Sequence, residues 1–108
     1  GMPELVLTAA DDGRAFAVDR GTAISVVLDE NPTTGYSWQL VEPLPDCLVP
    51  QGDRHDRPAG AAIGGGGRRV LRFAAEVPGS CRIWLDLRRV WEIGLAPAGR
   101  FRASVTVR

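Results

Sequence analysis

The side chains in this sequence that could do covalent or acid-base chemistry are few. His55 is the one histidine, and Cys47 and Cys81 are the two cysteines. A nucleophilic dyad needs a thiol or hydroxyl within hydrogen-bond reach of a base. An enzyme built from this chain would therefore have to bring Cys47, Cys81 or a serine to His55, which sits in the charged stretch Gly52 to Arg57. No motif prepares that meeting, and the chain reads as no enzyme. The cysteines form no C-x-x-C pair, so neither a zinc ribbon nor a thioredoxin-like redox motif is available. They read as two half-buried thiols that pack as small hydrophobes, with a disulfide between them as the alternative. Gly64-Gly65-Gly66-Gly67 is followed by neither a lysine nor a helix start, which removes a phosphate-cradling loop. No cofactor and no metal are implied.

The residues better suited to recognition lie in three strings. Asn31-Pro32-Thr33-Thr34-Gly35-Tyr36 combines a fixed φ at proline, a glycine able to take φ above zero, and Asn and Thr side chains able to bond the backbone. That is a stiff turn. Gly64 to Gly67 offers bare backbone that another surface could approach closely, or else a plain linker. Arg88-Arg89-Val90-Trp91-Glu92 puts a tryptophan where the chain turns through Gly94, Pro97 and Gly99. Trp91 either folds back as a plug on the end of the core or anchors a partner, as rigid aromatics do at binding hot spots.

What positions these strings is a set of short strands. Thirteen glycines and eight prolines punctuate 108 residues, and between them apolar residues alternate with period two. Phe101, Ala103, Val105 and Val107 point one way while Arg102, Ser104, Thr106 and Arg108 point the other. The same alternation turns Ile24, Val26 and Leu28 inward, then Tyr36, Trp38 and Leu40, then Leu71, Phe73 and Ala75, then Ile83, Leu85 and Leu87. Short strands around Leu5 to Leu7, continued at Ala15 to Val18, and around Cys47 to Val49 complete the set. Asp11-Asp12-Gly13-Arg14 reads as a hairpin turn and Gly52 to Arg57 as a solvated loop. The prediction is all-β, an immunoglobulin-like antiparallel β-sandwich of about seven strands, with residues 1–108 forming one domain. Loops joining strands two to three and six to seven emerge at one end of such a sandwich, where the loop joining four to five can meet them.

Thirteen basic and thirteen acidic side chains cancel, and every basic one is arginine. That balance excludes the electrostatic footprint of a nucleic-acid binder or a polybasic membrane anchor. No apolar run approaches the length of a bilayer span. Gly1 before Met2 reads as a tag-cleavage scar on a native start, with an upstream signal peptide left open. The expectation is a soluble monomer.

In order and spacing, the Asn31 to Tyr36 string, the glycines with Phe73 following, and Arg89-Val90-Trp91-Glu92 together resemble the chagasin-type inhibitors of papain-like cysteine peptidases. The resemblance runs from Ala23 to Val107. It implies a reversible, non-covalent inhibitor whose three loops form a wedge across the peptidase cleft. Pro32 to Gly35 would sit over the catalytic cysteine and histidine, with Thr34 nearest the thiolate. Gly64 to Gly67 and Arg89 to Trp91 would grip the walls on either side. Val90 departs from the proline usual between arginine and tryptophan, which frees one φ and restores a backbone donor. The insertion-like stretch Gln51 to Ala62 alters the reach of the second loop. The alternative is an immunoglobulin-like structural or adhesion module whose rim meets a non-peptidase partner.

Overall fold

The computed structural model describes residues 3–41, 44, 46–57 and 66–108. Among the described residues there are eight strands: β1 (Glu4–Thr8), β2 (Ala15–Val18), β3 (Ala23–Asp29), β4 (Tyr36–Leu40), β5 (Leu48–Asp56), β6 (Arg68–Ala75), β7 (Gly79–Arg89) and β8 (Gly99–Val107). They form two four-stranded sheets, ordered β1-β3-β6-β5 and β2-β8-β7-β4. The inward positions of both sheets meet in one core in which Leu7, Ile24, Val26, Ile83, Leu85 and Phe101 are almost wholly enclosed. Burying each such side chain contributes about 2 kcal/mol, and the alternation along β1, β3, β7 and β8 turns each of them toward the space between the sheets.

Four expectations need correction. The Leu5 and Ala15 segments are separate strands in opposite sheets, which brings the strands among the described residues to eight, in keeping with a sandwich of about seven. Between them Ala9–Asp11 forms a 3-10 turn, and Asp11 to Arg14 is a crossing from sheet to sheet instead of a hairpin. The chain's first two strands therefore sit at sheet edges, β1 parallel to β3 and β2 parallel to β8, while every other pairing is antiparallel. Gly52 to Arg57 is no loop, because β5 runs to Asp56; its register shifts between Pro50 and Gly52. That bulge swaps which face each residue meets and hides the strand's alternation. Leu40, expected inside, is exposed at the far end of edge strand β4.

Cys47 and Cys81 are paired as a disulfide, with Cα atoms 6.5 Å apart, within the span such a bond bridges. The expectation of two free thiols is thus overturned. The bridge ties the start of β5 in one sheet to the start of β7 in the other. Cysteine spacing alone carries no sign of this, because only the fold brings the two strand starts face to face.

Candidate functional site

Strand register decides where the three strings go. Asp29 at the end of β3 pairs with Arg68 at the start of β6, which pairs in turn with Asp56 at the end of β5. In the other sheet Tyr36 pairs with Arg89, and Leu87 with Gly99. The β3–β4 crossing, the β5–β6 hairpin and the β7–β8 hairpin therefore leave the sandwich at one end. Gly64 and Gly65 lie outside the described residues; Gly66 and Gly67 lie at this rim.

The first loop is held by its own side chains. Asn31 caps a 3-10 turn over Pro32–Thr34: its Oδ1 accepts from the Thr33 backbone N–H at 3.1 Å and from the Thr33 hydroxyl at 2.7 Å. The Thr34 hydroxyl donates to the Asn31 carbonyl at 2.8 Å and accepts from the Tyr36 N–H at 3.3 Å. Gly35, at φ 81°, closes the turn by donating to the Pro32 carbonyl. Proline at the first helical position and glycine just past the last suit this turn.

The third loop lies against the first. The Trp91 ring covers Gly35 so closely that a Cβ there would overlap it. The Arg89 Nε donates to the Thr34 carbonyl at 2.9 Å, and its guanidinium lies over the Tyr36 ring, 4.3 Å from the centroid. The same guanidinium pairs with Glu92 at 3.7 Å. Trp91 remains 64% exposed and Val90 72% exposed, so Trp91 is not a core plug. Val90 stands in a turn in which the Glu92 N–H donates to the Arg89 carbonyl at 3.1 Å.

Beneath the first two loops lies a bracket that sequence reasoning missed. Glu30, buried, accepts from the Trp38 backbone N–H at 2.9 Å and from the Arg69 guanidinium at 3.0 Å. Arg69 also pairs with Asp53. Hydrogen bonding to Asp53 raises the Arg69 pKa above its ordinary value; burial opposes this and the charge of Glu30 reinforces it. His55 Nε2 meets the Glu30 carbonyl at 2.7 Å. Gly67 lies against the His55 ring and its carbonyl accepts from the Glu30 N–H at 3.0 Å; a Cβ on Gly67 would stand 2.6 Å from the Asp56 carbonyl. The signal available was parity: Arg69 occupies an inward position of β6, next in line after Phe73 and Leu71. At the mouth of the sandwich the inward stripe turns from apolar to charged.

This arrangement has no reactive thiol. His55 stands eight residues along β5 from Cys47, roughly 25 Å at the strand rise, and its ring is occupied by Glu30. Among the described residues no group of three His, Cys, Asp or Glu side chains converges as metal ligands would. What the rim can do is present a braced edge with an exposed aromatic ring and bare backbone on it.

The profile described as chagasin family peptidase inhibitor matches residues 17–105. Amoebiasin-1 of Entamoeba histolytica is 30% identical over 79% of this chain and 82% of its own length. Amoebiasin-2 of the same organism is 26% identical over 95% of this chain and 85% of its own. The crystal structure of the cysteine protease inhibitor EhICP2 from Entamoeba histolytica superposes with a TM-score of 0.88 at 27% identity, covering 99% of this chain and 97% of that one.

Proposed function

Because the chain belongs to the chagasin family of peptidase inhibitors, we propose that its three-loop rim is the inhibitory edge and that its target is a papain-like cysteine peptidase. It inhibits cysteine peptidases and is not itself an enzyme. The unit that acts is one β-sandwich domain. Binding is reversible and non-covalent: the turn Pro32 to Gly35 enters the cleft over the catalytic thiolate, with Thr34 foremost, while Gly64 to Gly67 and Arg89 to Trp91 flank it.

An inhibitor that is not digested must fill the cleft with backbone that does not lie extended across the nucleophile, since attack needs a carbonyl held in line. A 3-10 turn meets that condition. The observation that carries the reading is the lock between first and third loops, Trp91 on Gly35 and Arg89 on the Thr34 carbonyl. Ordering a limp loop on binding costs about 1 kcal/mol or more per residue, and the hydrogen bonds and ring contact within and between the first and third loops reduce that cost. Three loops on one rim can supply an interface of about 800 Å² per partner.

The test is an assay of papain or a cathepsin-like enzyme on a fluorogenic substrate with the chain added at micromolar concentration. Loss of activity, regained on dilution, with the chain recovered uncut, supports the reading. An unchanged rate points instead to a structural or adhesion module.

A further inference from the structure

The third loop exposes more apolar surface than its tryptophan. After Trp91 the chain reads Glu92-Ile93-Gly94-Leu95-Ala96-Pro97-Ala98, and Ile93 is 91% exposed and Leu95 56% exposed. These side chains are not on a slack segment. The Arg89–Glu92 turn precedes them, Gly94 at φ 80° reverses the chain between them, Arg88 donates to the Leu95 carbonyl at 2.5 Å, and Ala98 N–H donates to the Leu87 carbonyl at 2.9 Å. Leu95 also lines a small cleft of about 70 Å³ with Tyr36, Arg88, Arg89 and Glu92, so a cleft with charged walls joins it to the base of the first loop. The only charge from Val90 to Gly99 is Glu92, and Arg89 neutralises it. The segment around Ile93 is therefore apolar and held in place, with the Arg88 guanidinium at its edge on the Leu95 side.

We propose that Ile93 and Leu95 are specificity-determining contacts that dock on an apolar, uncharged stretch of the target peptidase's cleft wall, beyond the wall met by Trp91. This rests on the rim being the inhibitory edge. An isoleucine this exposed contributes nothing to the core, yet on burial against an apolar partner it gains its full transfer free energy. A wall bearing a carboxylate or an ammonium opposite Ile93 would have to give up hydration without a compensating partner. The loop thus favours peptidases with apolar residues there and discriminates against those with charged ones.

The experiment measures inhibition constants for the wild-type chain and for Ile93→Ser, Ile93→Asp, Ile93→Arg, Leu95→Ser and Trp91→Ala against a panel of papain-like peptidases, with the melting temperature and sedimentation of each free chain. Expected for the peptidase inhibited best are an approximately tenfold weakening by Ile93→Ser, at least as much from Ile93→Asp and Ile93→Arg alike, and a smaller loss from Leu95→Ser. Melting temperatures stay unchanged, because the side chain is outside the core. Wild-type inhibition by all Ile93 variants, with Trp91→Ala impaired, overturns the contact and leaves the rim standing. Improvement by either charged variant overturns the apolar wall. A change in self-association without a change in inhibition assigns the patch to a second copy and overturns the proposal too. A wild-type chain that inhibits no member of the panel overturns the rim itself.

Discussion

Trp91 depends on a neighbour with no side chain. Its ring lies on Gly35 at φ 81°, a conformation and a spacing that no L-residue fits without strain. As the aromatic anchor of the rim, Trp91 is predicted to account for about 2 kcal/mol of binding, so Trp91→Ala should weaken inhibition about thirtyfold in a titration against papain. Unchanged inhibition by that variant would return the ring to a merely covering role. Asp86 on β7 stands below the third loop, joined to it through Arg88, which also donates to the Leu95 carbonyl. Burial by itself pushes the Asp86 carboxyl up, but the guanidiniums of Arg102 at 2.7 Å and Arg88 at 3.2 Å outweigh it and hold its pKa below the ordinary 3.8. With the folded value below the unfolded one, the stability this site contributes is complete above the unfolded value and is lost as pH falls through the folded one. Asp86→Asn is therefore expected to flatten the acid limb of a plot of melting temperature against pH, below about pH 4. A limb as steep as that of the wild type would refute the assignment.

Among the elements, β3, β6, β7 and β8 were legible because their alternation is unbroken and each has one dry face. Strand β5 was not: the shift between Pro50 and Gly52 breaks its parity, and its outer half carries Asp53, Arg54, His55 and Asp56. Charge there signals the sandwich mouth, not a loop. The same blind spot concealed the bracket of Glu30, Arg69 and His55, whose partners are far apart in sequence. The stiffness of Asn31 to Gly35 was readable, since its hydrogen bonds are local; the ring of Trp91 over Gly35 was not, since it joins two loops by tertiary packing. Glu30 holds the root of the first loop to β4 and β6. Glu30→Ala leaves the buried Trp38 N–H without its acceptor and Arg69 with Asp53 alone, and is predicted to destabilise the fold by about 2–4 kcal/mol. Thermal unfolding would show this as a lower melting temperature, accompanied by weaker inhibition as the loop root loosens. A variant as stable as the wild type would show that the bracket is dispensable.

At the scale of the molecule, the bridge and the rim occupy opposite ends. Cys47 and Cys81 join the two sheets where β5 and β7 begin, whereas the rim forms where those strands end. The bond closes 34 residues, for which chain entropy gives a stabilisation of about 3–4 kcal/mol. Replacing both cysteines by alanine should lower the melting temperature while leaving inhibition well below that temperature nearly intact. A large loss of inhibition without loss of stability would mean that the ends are coupled. Two-sheet architecture was readable from the alternating pattern and the turn residues. The parallel edge strands and the disulfide were not, because each depends on which sheet a segment joins. The central claim is that one end of the sandwich, assembled before the target arrives, is what the target meets. Its most direct measurement is amide hydrogen exchange along the whole chain, free and bound to a papain-like peptidase. Protection gained at Asn31 to Tyr36, at Gly66 and Gly67 and at Arg89 to Trp91, with Cys47, Gly79 and Cys81 unchanged, is the predicted result. Protection confined to a sheet face or to the disulfide end would contradict it.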